Sequence, residues 1–182
     1  MGFRNTDTNY GSVSKFIHWF IFFIVIAMLI LGFIMDDFHN TVIKGLAYNT
    51  HKLIGMLVLI IMIIRLLWKL SNPNPELKNY IKPWEYQIQQ GVMALLYILL
   101  IALPLTGWIM STAAQKYVNF FGLFNIPFPG IPLNRPLAKS LGLAHELIAY
   151  WLIALISLHF LAALKHQFIN KDNILRRMLP GR

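Results

Sequence analysis

Histidine is the side chain of this sequence best suited to hold a transition metal, because the chain contains six histidines and no cysteine. Four of the six fall within long apolar stretches: His18, His51, His145 and His159. An ionisable side chain in an apolar helix costs free energy, so each of these is a candidate for function. Any single one could equally form a hydrogen bond to a neighbouring helix, and the spacing of the set has to decide between the two interpretations.

Two of these histidines share one helical face. His145 and His159 are 14 residues apart, which at 100° per residue returns to within about 40° of the same direction. The rise of 1.5 Å per residue separates them by about 21 Å along the axis. One face of one helix would therefore carry an imidazole near each side of a membrane.

The elements that position these residues are apolar stretches at residues 13–35, 49–70, 87–112 and 137–169. Each is long enough for a helix to cross a bilayer, which takes about 20 residues. The chain is 57% hydrophobic and 13% charged, with a mean hydropathy of +0.58, whereas soluble domains are about one quarter charged. We predict an all-α, integral membrane four-helix bundle that forms a single domain over residues 1–182.

In the third connection Pro and Gly argue against a fifth helix, and its aromatic residues favour a loop that lies on the membrane surface as a lid.

The distribution of Lys and Arg predicts the orientation. If the amino terminus is cytoplasmic, eleven of these residues lie on the cytoplasmic side and five on the outer side, and the positive-inside rule then places both termini in the cytoplasm. The cytoplasmic set is Arg4, Lys15, Arg65, Lys69, Lys78, Lys82, Lys165, Lys171, Arg176, Arg177 and Arg182. Because the charges lie between apolar stretches, the net charge of +9 favours membrane topology over nucleic-acid binding.

Because successive helices cross the membrane in opposite directions, the position of each histidine along its helix predicts its depth. His18 and His159 come out near the cytoplasmic side (the inner pair), and His51 and His145 near the opposite side (the outer pair). Each pair offers two neutral imidazoles from facing helices, which is what a six-coordinate haem needs in a helix bundle. A zinc or copper site would need its ligands at one depth. We therefore predict two b-type haems, each with two histidine ligands and held between the helices.

Other polar residues are candidates for supporting roles. Arg65 is 14 residues after His51, so it returns to about the same face at the depth of the inner haem. Its guanidinium could pair with a haem propionate, or it could simply extend to the cytoplasmic surface. His166, two turns beyond His159, could line a pocket beside the inner haem. Gly55 and Gly142 could allow a haem to approach, or could serve helix packing.

Several segments carry a family resemblance. They are residues 14–19 (SKFIHW), 51–55 (HKLIG), 65–68 (RLLW), 102–107 (ALPLTG) and the carboxy-terminal stretch 145–180, whose end reads KDN-x-L-x-RM-x-P. Together they cover nearly the whole chain, and the sequence resembles the bacterial cytochrome b561 family, small four-helix dihaem cytochromes of the inner membrane. The resemblance implies the same four histidine ligands in the same two pairs.

The resemblance also implies electron transfer with quinone as the membrane-soluble partner. One type within the family looks like a superoxide oxidase, which passes electrons from superoxide outside the membrane to ubiquinone. In that type a histidine that matches His166 and a lysine that matches Lys82 lie near the quinone site. Some members have histidines early in the third helix, where this chain has Gln90 and Met93, and this difference leaves the electron donor open.

Three hypotheses about function remain at this point. The first is a quinone-linked oxidoreductase that acts alone, and the second is a haem-bearing membrane anchor that serves a partner dehydrogenase or hydrogenase. The third is a haem-free transporter or structural bundle. The five outer cations could attract an anionic donor such as superoxide, or they could form only a solvated rim. A redox partner protein on the outer side is the other possible donor.

Overall fold

The computed structural model describes residues 2–73, 75, 82–172 and 174–179. Within these ranges it contains four long α-helices: α1 (Ser12–Ile34), α2 (Thr41–Leu70), α3 (Pro83–Ala113) and α4 (Arg135–Leu164). Each is long and apolar enough to cross a membrane, α4 together with its continuation to Asn170. The predicted all-α membrane bundle is confirmed for the described part of the chain. Lys78 and Arg182, which we counted among the cytoplasmic cations, lie outside the described residues.

All four helices begin earlier than the apolar stretches predicted, although α1 does so by only one residue. The start of α2 is eight residues before the predicted position 49, because the Asn40 side chain accepts hydrogen bonds from the backbone N–H groups of Val42 and Ile43, at 3.0 and 3.1 Å. Asparagine is a favoured N-cap, since its side chain satisfies N–H groups that have no partner in the first turn. Pro83 begins α3, and Asn134 caps α4. The first turns of these helices contain polar residues, so hydropathy alone did not identify them as helical.

The end of α4 also differs from a plain helix. It continues as a π-helical segment, Lys165–Asn170, and the chain then reverses at Lys171, which has a positive φ of 55°. A short 3-10 turn, Leu175–Arg177, follows. These elements turn the carboxy-terminal tail back against the start of α1, where the Lys15 ammonium donates to the Leu179 carbonyl oxygen at 3.1 Å.

The connection between α3 and α4 contains a β-hairpin that the sequence did not predict. Strands β1 (Val118–Phe120) and β2 (Phe124–Ile126) pair antiparallel, with Asn119 opposite Asn125. The hairpin is fixed to α2 because the Asn49 amide donates to the Asn119 carbonyl (2.9 Å) and accepts from the Asn119 N–H (3.0 Å). Asn49 lies two residues before His51, so the hairpin sits at the end of the bundle that holds the outer pair.

A cluster of buried apolar residues lies between the heights of the two histidine pairs. Its buried residues, which we call the central layer, are Ile21, Val25, Val58, Met62 and Leu152. Leu152 and Met62 are only 0% and 1% exposed, and Leu152 is seven residues from both His145 and His159. The central layer therefore separates the height of the inner pair from that of the outer pair.

Candidate functional site

The structure brings the histidines together in the two pairs that depth predicted. His18 on α1 faces His159 on α4, with ring centres 6.4 Å apart and planes at 64°. His51 on α2 faces His145 on α4, with ring centres 6.2 Å apart and planes at 69°. In both pairs, two imidazoles from different helices are arranged edge to face.

The spacing of the rings fits a shared metal. Two imidazoles that bind one metal through their Nε2 atoms place their ring centres about 6.3 Å apart, given metal–nitrogen bonds of about 2.0 Å. Both observed separations, 6.4 and 6.2 Å, lie within 0.1 Å of this value. Edge-to-face ring pairs also have centres about 4.5–7 Å apart, so the spacing by itself is compatible with a metal held by both imidazoles of each pair and does not require one.

In the outer pair, the environment of His145 determines which nitrogen carries the proton. Its Nδ1 lies 2.9 Å from the backbone oxygen of Leu103 and 3.2 Å from the Thr106 hydroxyl oxygen. A carbonyl oxygen can only accept, so the Nδ1 of His145 must be the donor. The neutral ring then has a free lone pair on Nε2, as metal binding requires. His51 differs, because its Nδ1 is buried with no hydrogen-bond partner among the described residues.

In the inner pair, Arg65 contacts one of the histidines directly. An Arg65 guanidinium nitrogen lies 2.9 Å from the Nδ1 of His18. A guanidinium can only donate, so here Nδ1 accepts and the neutral ring carries its proton on Nε2. The spacing of the inner pair fits a haem, but a metal on the Nε2 of His18 requires Arg65 to turn away from this ring. A guanidinium released in this way suits an anionic carboxylate such as a haem propionate.

Arg65 belongs to a cluster of cations and an aromatic ring at the inner end. The Arg65 guanidinium and the Lys69 ammonium lie 5.6 and 4.8 Å from the centre of the Tyr97 ring. Cations over an aromatic face are attracted by its quadrupole. The cluster fixes Arg65 between α2 and α3, beside the inner pair, and does not leave it extended into solvent.

His166 and Lys82, the two candidates for a quinone site, lie at the same end of the bundle. His166 belongs to the π-helical segment, and its Nδ1 is 2.5 Å from a carboxylate oxygen of Asp172. Lys82 is the exposed N-cap residue of α3, and a salt bridge of 2.6 Å between Lys165 and Glu85 ties that helix start to the end of α4. No hydrogen bond joins His166 to Lys82 in the described structure.

The sequence analysis missed the residues that hold the histidine rings. Leu103 and Thr106 bind His145, and a Cβ added to Gly107 would come within 3.0 Å of the Cε1 of His145. All three lie in the segment ALPLTG, which we used for the family resemblance without giving it a role. Gly32 approaches His51 in the same way, with a Cβ distance of 3.2 Å.

The two glycines that we did single out behave differently. A Cβ on Gly142 would meet the Met110 sulfur of α3 at 3.3 Å, so this glycine allows close packing between helices. A Cβ on Gly55 would have nothing within 4 Å. The structure therefore favours helix packing over haem contact for Gly142 and leaves open space beside Gly55.

Comparisons with known proteins agree with this architecture. The family model of prokaryotic cytochrome b561 matches residues 9–181. Cytochrome b561 homolog 2 of Escherichia coli (strain K12) is 34% identical over 98% of this chain and 95% of its own length. Cytochrome b561 homolog 1 of the same organism is 30% identical (95% and 98%), and the probable superoxide oxidase CybB of Yersinia pestis is 29% identical (94% and 96%). The chain therefore belongs to the prokaryotic cytochrome b561 family and is a multi-pass bacterial membrane protein that transfers electrons through b-type haem.

Proposed function

We propose that this protein is a dihaem cytochrome in which His18 and His159 hold an inner haem and His51 and His145 an outer haem. The observation that carries the proposal is the ring separation of 6.4 and 6.2 Å in the two pairs, which suits two imidazoles on one iron. Haem, when bound, supplies one-electron chemistry. The chain supplies the four ligands, an apolar central layer between the two heights, and the groups that orient the rings.

We propose quinone as the partner at the inner end. The support is chemical: this end combines the cations Arg65 and Lys69 with a histidine–carboxylate pair, His166 and Asp172. Reduction of a quinone takes up protons as well as electrons, and a hydrogen-bonded imidazole at the membrane boundary can transfer a proton. Lys82 lies at the same end, and we retain it as a candidate for binding a quinone oxygen.

Superoxide is the proposed donor at the outer end, since one relative is named a probable superoxide oxidase. The outer cations are partly engaged within the protein. Lys44 forms an ion pair with Asp36 at 3.3 Å, and Lys52 donates to the Lys116 carbonyl oxygen at 2.8 Å. A bond to a neutral carbonyl leaves the charge of Lys52 in place, so attraction of an anion over a distance would depend mainly on the four outer cations other than Lys44.

A second candidate function is electron transfer to a docked partner protein. It is favoured by the tip of the hairpin, where Phe121 and Leu123 are 77% and 76% exposed. Exposed apolar side chains beside a functional site are typical of membrane or protein contact surfaces. In this case the outer haem would exchange electrons with a dehydrogenase or hydrogenase subunit.

Haem content tests the central proposal. The purified protein is expected to contain two haems b per chain and to give the sharp reduced-minus-oxidised bands of bis-histidine haem. Alanine substitutions of His18, His51, His145 and His159 should each lower the ratio to about one, because a haem with one axial ligand is held weakly. His39→Ala is the matched control, since His39 lies outside the helices and is exposed. Full haem content in all four variants would refute the ligand assignment.

The substrates are tested on the same preparation. In a stopped-flow experiment, mixing the oxidised protein with superoxide should produce the absorption bands of the reduced haems. Added ubiquinone should reoxidise the haems and remove these bands. Haems that react with quinone but not with superoxide would favour the partner-protein function. If the haems react with neither superoxide nor ubiquinone, both substrate proposals are wrong, and only the assignment of the haems to the four histidines remains.

A further inference from the structure

The residues that hold His145 form one turn of α3, a helix that contributes none of the proposed ligands. Leu103 and Thr106 contact the Nδ1 of His145 from this turn, and Gly107 faces the same ring. Pro104 lies between them and has no N–H to donate to the Leu100 carbonyl four residues earlier. The Leu103 carbonyl is a separate acceptor, and the imidazole of His145 and the hydroxyl of Thr106 both donate to it.

The three contacts in this turn differ in length, and the difference determines what Thr106 does. The Thr106 hydroxyl donates to the Leu103 oxygen at 2.7 Å, His145 donates to the same oxygen at 2.9 Å, and the direct contact from Nδ1 to the hydroxyl oxygen is 3.2 Å. The last distance is at the long limit for an N–H···O bond. Thr106 therefore acts mainly as a competing donor, which weakens the Leu103 carbonyl as an acceptor for the imidazole.

The strength of that acceptor matters for the iron. A histidine ligand whose Nδ1–H is bound by a strong acceptor becomes a more basic ligand, which favours the ferric state and lowers the reduction potential. His51, on the other side of the same proposed haem, has no partner for its Nδ1 among the described residues. Within the outer pair, a hydrogen bond from Nδ1 can therefore tune the potential only at His145, among the described residues.

Gly107 provides the space that this arrangement needs. A Cβ at this position would lie 3.0 Å from the Cε1 of His145 and 3.2 Å from its Nδ1. These distances are tighter than nine in ten real Cβ contacts, so a side chain here would push the imidazole by a few tenths of an ångström and strain its hydrogen bond to Leu103. Gly91, on the same helix, would find nothing within 4 Å of an added Cβ.

We propose that the α3 turn from Leu103 to Gly107 is the positioning element of the outer haem. It holds His145 in the Nδ1–H form, and Thr106 sets how strongly the imidazole is polarised and hence the potential of that haem. This inference rests on the proposed outer haem.

Thr106→Val tests the role of the hydroxyl, because valine keeps the shape and removes both the short bond to Leu103 and the long contact with Nδ1. Both haems should remain bound. The midpoint potential of the outer haem should fall, since its reduction equilibrium constant is expected to drop about threefold to tenfold, or roughly 30 to 60 mV for one electron. The inner haem should keep its potential. The outer haem is identified from the spectrum of His18→Ala, which keeps only that haem, and the inner haem from that of His51→Ala. Thr106→Ser keeps the hydroxyl and should therefore restore the original potential of the outer haem.

An unchanged or raised outer potential in Thr106→Val, or an equal shift of both haems, would overturn the proposal. Gly107→Ala adds an independent test with haem content as its readout. The haem-to-protein ratio should fall from two toward one, with the outer haem lost, while Gly91→Ala should keep both. Alanine favours a helix more than glycine does, so loss of helix stability would not explain the result. Full retention of the outer haem in Gly107→Ala would contradict the positioning role.

Failure of this inference is distinguishable from failure of the proposed function. If the unmodified protein contains two haems and Thr106 has no effect on their potentials, only the role of the α3 turn is wrong. If the unmodified protein lacks the outer haem, the ligand assignment itself fails before any variant is measured.

Discussion

At the scale of single residues, the proposed histidine ligands differ in what surrounds their Nδ1 atoms. A backbone carbonyl holds His145, a guanidinium contacts His18, and His51 has no partner in the described part of the chain. Hydrogen bonds to a ligand histidine fix its tautomer and raise its basicity, and they thereby tune the metal. Two haems with the same ligand type are therefore expected to have different potentials.

Arg65 is the residue whose charge should affect the inner haem most. Its guanidinium contacts the His18 ring at 2.9 Å. After it turns from this ring, as a metal on the Nε2 of His18 requires, it remains roughly 10 Å from that metal, where a unit charge contributes roughly 1–2 kcal/mol at an effective dielectric constant of about 20. Arg65→Met removes this charge and should lower the inner-haem potential by roughly 40 to 90 mV. Redox titration of the visible bands measures the shift.

Two further variants make the Arg65 prediction specific. Arg65→Lys keeps the charge and should shift the potential much less, whereas Arg135→Met, at the start of α4, should leave the inner haem unaffected. An inner haem with the same potential in Arg65→Met and in the unmodified protein would indicate that Arg65 serves only packing with Tyr97.

At the scale of elements, hydropathy located the helices but not their polar ends. The first turns of α2 and α4 depend on the side chains of Asn40 and Asn134, which bind backbone N–H groups. The hairpin was missed because strands of three residues carry too little pattern to be recognised. Its attachment through Asn49 and Asn119 requires two residues 70 positions apart to meet.

The central layer is the element contact that a single substitution should weaken most. Leu152 is 0% exposed on α4, and Leu152→Ala would leave a cavity between the heights of the two histidine pairs. We expect a loss of about 1–3 kcal/mol, less than in a water-soluble core because the unfolded helix remains in lipid. Thermal unfolding in detergent, followed by circular dichroism, measures it.

The control for this prediction lies on the same helix. Leu147 is 61% exposed, so Leu147→Ala removes the same atoms from a position that faces away from the bundle. Its melting temperature should stay close to that of the unmodified protein. Equal melting temperatures for the Leu152 and Leu147 variants would mean that the central layer does not stabilise the bundle.

At the scale of the whole molecule, the structure places the two ends of the described chain together. Asn5 donates to the Pro73 carbonyl at the end of α2, and Lys15 binds Leu179 of the tail. Two termini at one end agree with an even number of crossings, but no contact within the protein defines which side of the membrane they face. The excess of Lys and Arg at that end predicts the cytoplasm.

Cysteine labelling tests this orientation without background, because the chain has no cysteine of its own. Leu123→Cys places a thiol at the exposed hairpin tip, and Thr8→Cys places one at the opposite end. In intact spheroplasts a membrane-impermeant maleimide should label the cysteine at position 123 and leave that at position 8 unlabelled until lysis. The reverse pattern would invert the proposed inner and outer sides.

The sequence by itself determined the helices, the heights of the histidines and their pairing. A membrane helix must satisfy its own backbone, so an apolar stretch of sufficient length specifies it, and a fixed rise per residue converts sequence position into depth. His18 with His159 and His51 with His145 follow from that conversion alone.

Only the tertiary structure decided what touches each ring. Depth along an axis does not specify how neighbouring helices are rotated, so the contacts of Arg65 with His18 and of Thr106 with His145 required the packed bundle. The hydrogen bond from His145 to the Leu103 carbonyl could not be predicted either, because every residue has a backbone carbonyl and the residue type gives no indication of it. Hydrogen bonds to the histidines depend on the approach of helices within a few tenths of an ångström. That approach is fixed by the packing of α1 against α2 at His18 and of α3 against α4 at His145.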